Sequence, residues 1–404
     1  MLTKPFYRFL MALCVGTCCL FFGEEKAFSV QFGDQNITVN GYLDPTFTYN
    51  NDLGQATLDF LNPTPRYTYL NSTFGDALVH VLDTFKNGSI LEVRLMPTKA
   101  YGGPYTSSPN FDVYNIVDTA KFTIPTSSTT SFFVGKQPAW DGFECKYADC
   151  MYTITHSLLF NFSEPGYFTG AGVEYTKGMF DLKAQLADQM NSGNNSPGMN
   201  TWAGVYRFSF ALTPEWSVGV FGMVGENPTY GSYAGTTPYA SSLRTFNDFD
   251  WSYKSGKLVF GGQFDYGSQA NAAYNGSTAT WYGAMALVNY RFTNLVGGTL
   301  RADYFNDSAN GGGGGNVYPP LAAGGVSGYS ANGINGLGFN PSNPLVGAIR
   351  ESVTGDLLFY PYSNSIIKAE YRHDFANFSA FGNYANVLEY NNNNSVAIQY
   401  IFLF

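Results

Sequence analysis

The stretch Asn393-Asn394-Ser395-Val396-Ala397-Ile398-Gln399-Tyr400-Ile401-Phe402-Leu403-Phe404 decides how this chain is read. Val396, Ile398, Tyr400, Phe402 and Phe404 share one face, and Ala397, Gln399, Ile401 and Leu403 share the other. A period of two marks a strand, because successive side chains on extended backbone point to opposite sides. A strand this apolar would aggregate through its backbone unless both edges were hydrogen-bonded. A closed antiparallel barrel gives it a neighbour on each side and turns its aromatic face to lipid. The last strand of a soluble β-sandwich is the competing assignment, and the rest of the chain must decide between them.

At the opposite end, Lys4 and Arg8 precede an apolar run of fifteen residues, Phe9–Gly23. A spanning helix needs about twenty such residues, so the run fits a secretory leader. Cleavage is expected after Ala27 or Ser29, which makes 1–27 a removed signal peptide and 28–404 one domain. Cys14, Cys18 and Cys19 leave with the leader, and Cys145 and Cys150 remain. An even pair in an exported chain predicts a local disulfide.

Charged residues are 13% and aromatics 17% of the chain, with 45 Gly. Soluble domains carry about 25% charged residues, and helical membrane proteins carry apolar runs of about eighteen or more, absent after residue 23. Alternation averages a barrel's hydrophobicity to near zero, which is the profile here. The net charge of −9 argues against a nucleic-acid partner.

The alternation recurs along the chain. In Ile37–Asn50, Val39, Leu43, Phe47 and Tyr49 oppose Thr38, Asn40, Asp44, Thr46 and Thr48, and Pro45 predicts a bulge. After a polar stretch, Asn51–Ser72, come Thr73–Phe85, the turn Asn87-Gly88 and Ile90–Thr98. Hairpins follow at Asn115–Ile124 with Thr130–Gln137, Phe168–Tyr175 with Met179–Ala187, and Thr201–Leu212 with Trp216–Gly225. Further pairs are Arg244–Tyr253 with Leu258–Gly267, Trp281–Phe292 with Leu295–Phe305, and Ile349–Tyr360 with Ile366–His373. With the last strand this makes sixteen, an even number, as single-chain bacterial barrels require. Short turns alternate with long connections, among them 138–167, 227–243, 306–348 and 374–392. That alternation predicts an all-β transmembrane up-and-down barrel with short periplasmic turns, long external loops and both termini on the periplasmic side. Two positions break the parity: Asp83 falls with Val79 and Val81, and Asp118 conflicts with Ile116 and Ala120. Both are expected near the interfaces or beside bulges.

Lipid-facing Arg or Lys at mid-bilayer costs about 2–4 kcal/mol, so charges on these strands must point inward. This makes Arg94, Lys136, Asp248, Asp250, Arg301, Asp303, Lys368, Glu370 and Arg372 pore-lining candidates. Sixteen strands enclose an aqueous channel rather than a filled core. Trp251, Tyr253, Phe292, Tyr304, Tyr360 and Tyr400 fall near strand ends, where interfacial girdles sit.

Several segments then resemble a family. Phe132-Phe133-Val134-Gly135-Lys136-Gln137-Pro138, Gly142-Phe143-Glu144, Thr155-His156-Ser157-Leu158-Leu159-Phe160, Glu164-Pro165 and Thr169-Gly170-Ala171-Gly172-Val173 occur in that order. Pro361-Tyr362-Ser363-Asn364 and Lys368-Ala369-Glu370-Tyr371-Arg372-His373-Asp374 follow near the end. Together they resemble the β-barrel porin-2 (OmpL-like) family. The Cys pair and the Gly-rich loop 306–348 depart from its pattern. The resemblance implies an outer-membrane porin, with Lys136 and Glu144 on the family's Gly-Lys and Gly-x-Glu positions and no catalytic residue. Sixteen-strand porins fold their third external loop into the barrel, so 138–167 is either a constriction loop or a loop that stays outside. The terminal Phe404 likewise resembles the signal read by the barrel assembly machinery, and porins of this size are often homotrimers.

An enzyme is not expected. The His residues are His80, His156 and His373, and a base and nucleophile adjacent on one strand, as His156-Ser157 would be, point apart. No metal-ligand spacing and no cofactor motif is present, and Gly311–Gly315 lacks the following helix that a phosphate cradle needs. The function expected is passive diffusion of small hydrophilic solutes and ions through the bacterial outer membrane. The alternative is an adhesin or surface-structural barrel that works through its external loops.

Overall fold

Pro45 offers no backbone N–H, and it divides the first strand, β1, into Gln35–Leu43 and Thr46–Asn50. In this computed structural model, residues 28–32, 35–51, 55–61, 74–96, 116–189, 202–229, 240–271, 277–309, 339–340, 343–347, 349–379, 381–382 and 388–404 are described. The leader with Cys14, Cys18 and Cys19, and most of loop 306–348, lie outside the described residues. β2 is also in two pieces, Gln55–Asp59 paired with the upper part of β1 and Ala77–Thr84 paired with the lower. The first of these pieces falls within the stretch expected to be a polar connection.

The remaining strands run in simple order. They are β3 (Ile90–Leu95), β4 (Val117–Pro125), β5 (Thr130–Pro138), β6 (Tyr167–Lys177), β7 (Phe180–Gln189), β8 (Trp202–Ala211) and β9 (Trp216–Thr229). Then come β10 (Ala240–Ser255), β11 (Leu258–Gln269), β12 (Ala279–Arg291), β13 (Val296–Ala309), β14 (Ile349–Tyr362), β15 (Ser365–Ala376) and β16 (Asn392–Leu403). Each pairs antiparallel with its neighbours. β16 lies between β15 and β1, with Ser395 opposite Asn50 and Leu403 opposite Tyr42. Gly41 and Phe404 exchange two backbone hydrogen bonds of 3.0 Å at the seam. The sheet is a closed barrel of sixteen strands. Below Phe404, a short strand not foreseen in the sequence, Phe28–Phe32, pairs with Gln35–Val39 of β1.

The tight turns 178–179 and 256–257 need left-handed backbone, and Gly178 (φ 61) and Gly256 (φ 55) supply it without a Cβ clash. On β7, β13, β14 and β15 the faces invert those of a soluble protein. Leu300, Leu357 and Leu186 are 62–67% exposed outward, whereas Arg301, Lys368 and Arg372 are at most 1% exposed inward. Phe180 with Phe210, Trp216 with Tyr253 and Tyr290 with Phe292 form outward ring pairs at the short-turn end. The parity breaks have local causes. The β3–β4 register shifts between Arg94 and Leu95, opposite Thr119 and Val117, and the extra residue Asp118 is turned inward. Asp83 keeps the outward parity and lies between Ile37 and Leu91, close to the turn at 85–89.

Candidate functional site

Between β5 and β6 the chain turns into the barrel. Residues 147–159, Phe162 and Ser163 include many side chains at most 4% exposed, which a loop outside the wall would not show. The loop builds its own scaffold. Ser157 caps a short helix, α1 (Leu158–Phe162), by accepting from Phe160 N at 3.1 Å, and the Ser163 N–H closes it on Leu159 O. The His156 ring stacks on Phe160 at 3.7 Å, and Asn161 Nδ2 donates to Ser157 O. Cys145 and Cys150 are joined, with Cα atoms 5.9 Å apart. His156 and Ser157 thus lie within loop 138–167, Ser157 as the helix cap, and both are used for the loop's own structure.

One half of the contact with the wall is apolar. Ile154, Leu158, Leu159 and Phe162 pack with Phe221, Met223, Phe246, Met285, Leu287 and Phe305 from β9, β10, β12 and β13. Burying such a side chain is worth about 1.5–3 kcal/mol. The wall makes room with glycines: a Cβ on Gly261 would lie 2.3 Å from the Phe143 ring, and one on Gly283 2.9 Å from Leu159 Cδ1. The wall facing the loop thus carries apolar side chains beside the expected charges. Inward positions of β9, β10, β12 and β13 carry an apolar core, and the alternation gives no sign of it because β12 is apolar on both parities, with Met285 and Leu287 inward and Ala284, Ala286 and Val288 outward.

The other half is ionic. Lys368 Nζ donates to Ala148 O (2.7 Å), Met151 O (2.8 Å) and Thr153 O (3.1 Å). Glu370 accepts from Ile154 N (2.6 Å), Thr155 N (2.9 Å) and Thr155 Oγ1 (2.6 Å). Arg372 donates to His156 O at 2.6 Å and pairs with Asp374 at 2.9 Å. Arg301 pairs with Glu144 at 2.6 Å, donates to Thr155 O and His156 O, and lies 3.3 Å from Asp303, which accepts from Ser352. Burial pushes the Glu144 carboxyl up, against the opposing pull of Arg301 and of the Ser157 N–H. Asp248 accepts from Gly142 N at 3.1 Å, and Asp250 is held by Arg207 at 2.5 Å. On the facing wall Arg94 pairs with Glu92 at 3.0 Å and lies 4.5 Å over Tyr147, while Lys136 donates to Val117 O and lies 4.9 Å from the Tyr167 ring.

All ten candidates thus meet around the loop, most of them bonded to it. Reasoning from parity missed their uncharged or displaced partners. Gln263 accepts from Phe143 N at 2.7 Å, Asp118 takes Lys146 (2.6 Å), Tyr147 and Tyr167, and the Tyr42 hydroxyl accepts from Ala148 N. The signal for Asp118 in the sequence is its parity, which conflicts with that of Ile116 and Ala120. Among the described residues no group of three His, Cys, Asp or Glu is placed to hold a metal ion.

Comparison with known proteins adds the fold's relatives. No curated protein matches the chain in sequence. Among solved structures, OmpT, an outer membrane protein of Vibrio cholerae, superposes with TM-score 0.58 at 11% identity over 93% of this chain and 99% of its own. A trimer form of OmpT gives TM-score 0.57 at 12% identity over 92% and 99%. The anion-selective porin from Comamonas acidovorans gives 0.55 at 9% identity over 92% and 100%. The outer membrane channel DcaP of Acinetobacter baumannii gives 0.53 at 11% over 93% and 99%. At these identities the likeness is one of fold. In sequence, residues 33–404 match the model of a family described as a protein of unknown function, and the chain accordingly belongs to the DUF3138 family.

Proposed function

We propose that this chain is a bacterial outer-membrane channel that passes small hydrophilic solutes and ions by diffusion, narrowed by the inserted loop 138–167. The observation that carries this reading is the pairing of a closed sixteen-strand barrel with a loop tied across its interior by inward charges. A wall that served only to display external loops would need neither inward charge nor an inserted segment. The motifs that resemble the β-barrel porin-2 family point the same way, as does the likeness in fold to a porin and an outer-membrane channel.

The reading includes export behind the leader 1–27, assembly through the strand ending at Phe404, and a homotrimer like the trimer form of OmpT. Arg94, Lys121 and His80 surround Glu92 with 7–23% side-chain exposure, and in this reading they border the path. Swelling of proteoliposomes in sugars of graded size tests the proposal. Uptake that falls with solute size supports it, and no uptake by heat-modifiable, folded barrel refutes it.

A further inference from the structure

The two edges of the inserted loop meet opposite chemistry. The edge around Glu144 and Thr153–His156 meets three cations, Arg301, Lys368 and Arg372, with Glu370 among them. The other edge meets acids. Asp141 and Glu164 come from the loop, Asp248 and Asp250 from β10, and Asp265 from β11. Arg207 of β8 reaches Asp250 at 2.5 Å and Asp248 at 3.6 Å.

Asp248 and Asp265 are direct cross-strand partners, so their side chains lie side by side on the inner face. They are 2% and 0% exposed, and Oδ2 of each has no hydrogen-bond partner among the described residues. Two buried carboxylates so placed repel strongly, and sharing one proton removes most of that repulsion. The surroundings add more acid than base. Glu164 faces Asp141, Asp265 and Glu144, while Asp141 faces Asp265, Asp250 and Arg207, with Arg244 also acting on it. Gln263 donates to Glu164 and Asp265, and Ser163 lies beside Asp265. On the loop, burial and then Asp265 push the Asp141 carboxyl up, and burial and then Asp141 push Glu164 up.

We propose that this edge is a proton-held latch: a proton shared by Asp248 and Asp265 keeps Gly142 and Phe143 docked on β10 and β11. Loss of that proton to solvent frees this edge while Arg301, Lys368 and Arg372 hold the other. The docking bonds at stake are Gly142 N to Asp248 (3.1 Å) and Phe143 N to Gln263 (2.7 Å). The sign follows from linkage. A carboxyl that binds its proton more tightly when docked stabilises docking at low pH, and that stability is lost as pH rises from its undocked to its docked pKa. The effect on transport rests on the channel reading, whereas the latch chemistry does not.

Hydrogen–deuterium exchange of the full-length refolded barrel from pH 5 to 8 tests this, with protection at 141–143 taken relative to 153–157 in the same molecule. The latch predicts that this ratio falls by about tenfold per pH unit between the undocked and docked pKa values, where opening releases one proton, and levels off above the docked one. It also predicts a flat, protected ratio in Asp248→Asn/Asp265→Asn, or in Asp265→Asn alone should the double variant not fold. A wild-type ratio independent of pH, or the same pH dependence in the variants, overturns it. Conductance measured in parallel separates the two ideas. A barrel that conducts with pH-independent protection defeats the latch alone. One whose protection falls with pH but passes no current keeps the latch and defeats the channel.

Discussion

Arg301 joins three segments at once, pairing with Glu144, bonding loop carbonyls and reaching Thr354 of β14. Removing it leaves Glu144 buried without its partner, and breaking a buried pair from one side costs about 3–5 kcal/mol. Arg301→Met is expected to lose that much in urea unfolding of the refolded barrel. Arg301→Met/Glu144→Gln is expected to recover most of it, because the orphaned charge is gone. An equal loss in both variants would mean the pair is not what Arg301 contributes. The inward face of Arg301 was legible from Leu300 and Ala302 on either side. Its partner was not, since Glu144 lies 157 positions away and no period in the sequence links a loop to a strand at that distance.

The loop is held by its shape as well as its charges. Gly261→Val places a branched side chain where the Phe143 ring now sits, 2.3 Å from the position of a Cβ. The ring must leave the wall, so this variant is expected to raise conductance several-fold while heat-modifiability persists. Unchanged conductance would show that Phe143 does not narrow the path. Reduction of the Cys145–Cys150 bond should act at the loop's other end, since residues 145–150 would lose their closure next to Lys368's carbonyl acceptors. Current noise and step size with and without reductant measure it, and the account expects larger, less uniform steps after reduction. All sixteen strands were legible because alternation over eight or more residues is hard to mimic. The β2 piece Gln55–Asp59 and the five-residue α1 were missed. Each is shorter than the window in which its period shows, and α1 is fixed by a cap and by its fit against Gly283, not by amphipathicity.

At the scale of the whole molecule, closure rests on β16 meeting β1, the pairing first suggested by the alternation of Ser395–Phe404. What that pattern could not convey is how the interior is filled, because barrel closure constrains parity and leaves the loop's path free. Both signs of charge line the interior, and the chain is acidic overall at −9. A weak cation preference follows, to be read as a small reversal potential in a salt gradient, and an anion-selective reversal would contradict it. The central claim is that loop 138–167 narrows a conducting barrel. Its most direct test is planar-bilayer conductance of the refolded wild type beside a variant in which 139–166 is replaced by a short Gly-Ser turn. The account predicts small ohmic steps for the wild type and steps several-fold larger for the shortened chain, and equal steps, or silence from both folded barrels, would contradict it.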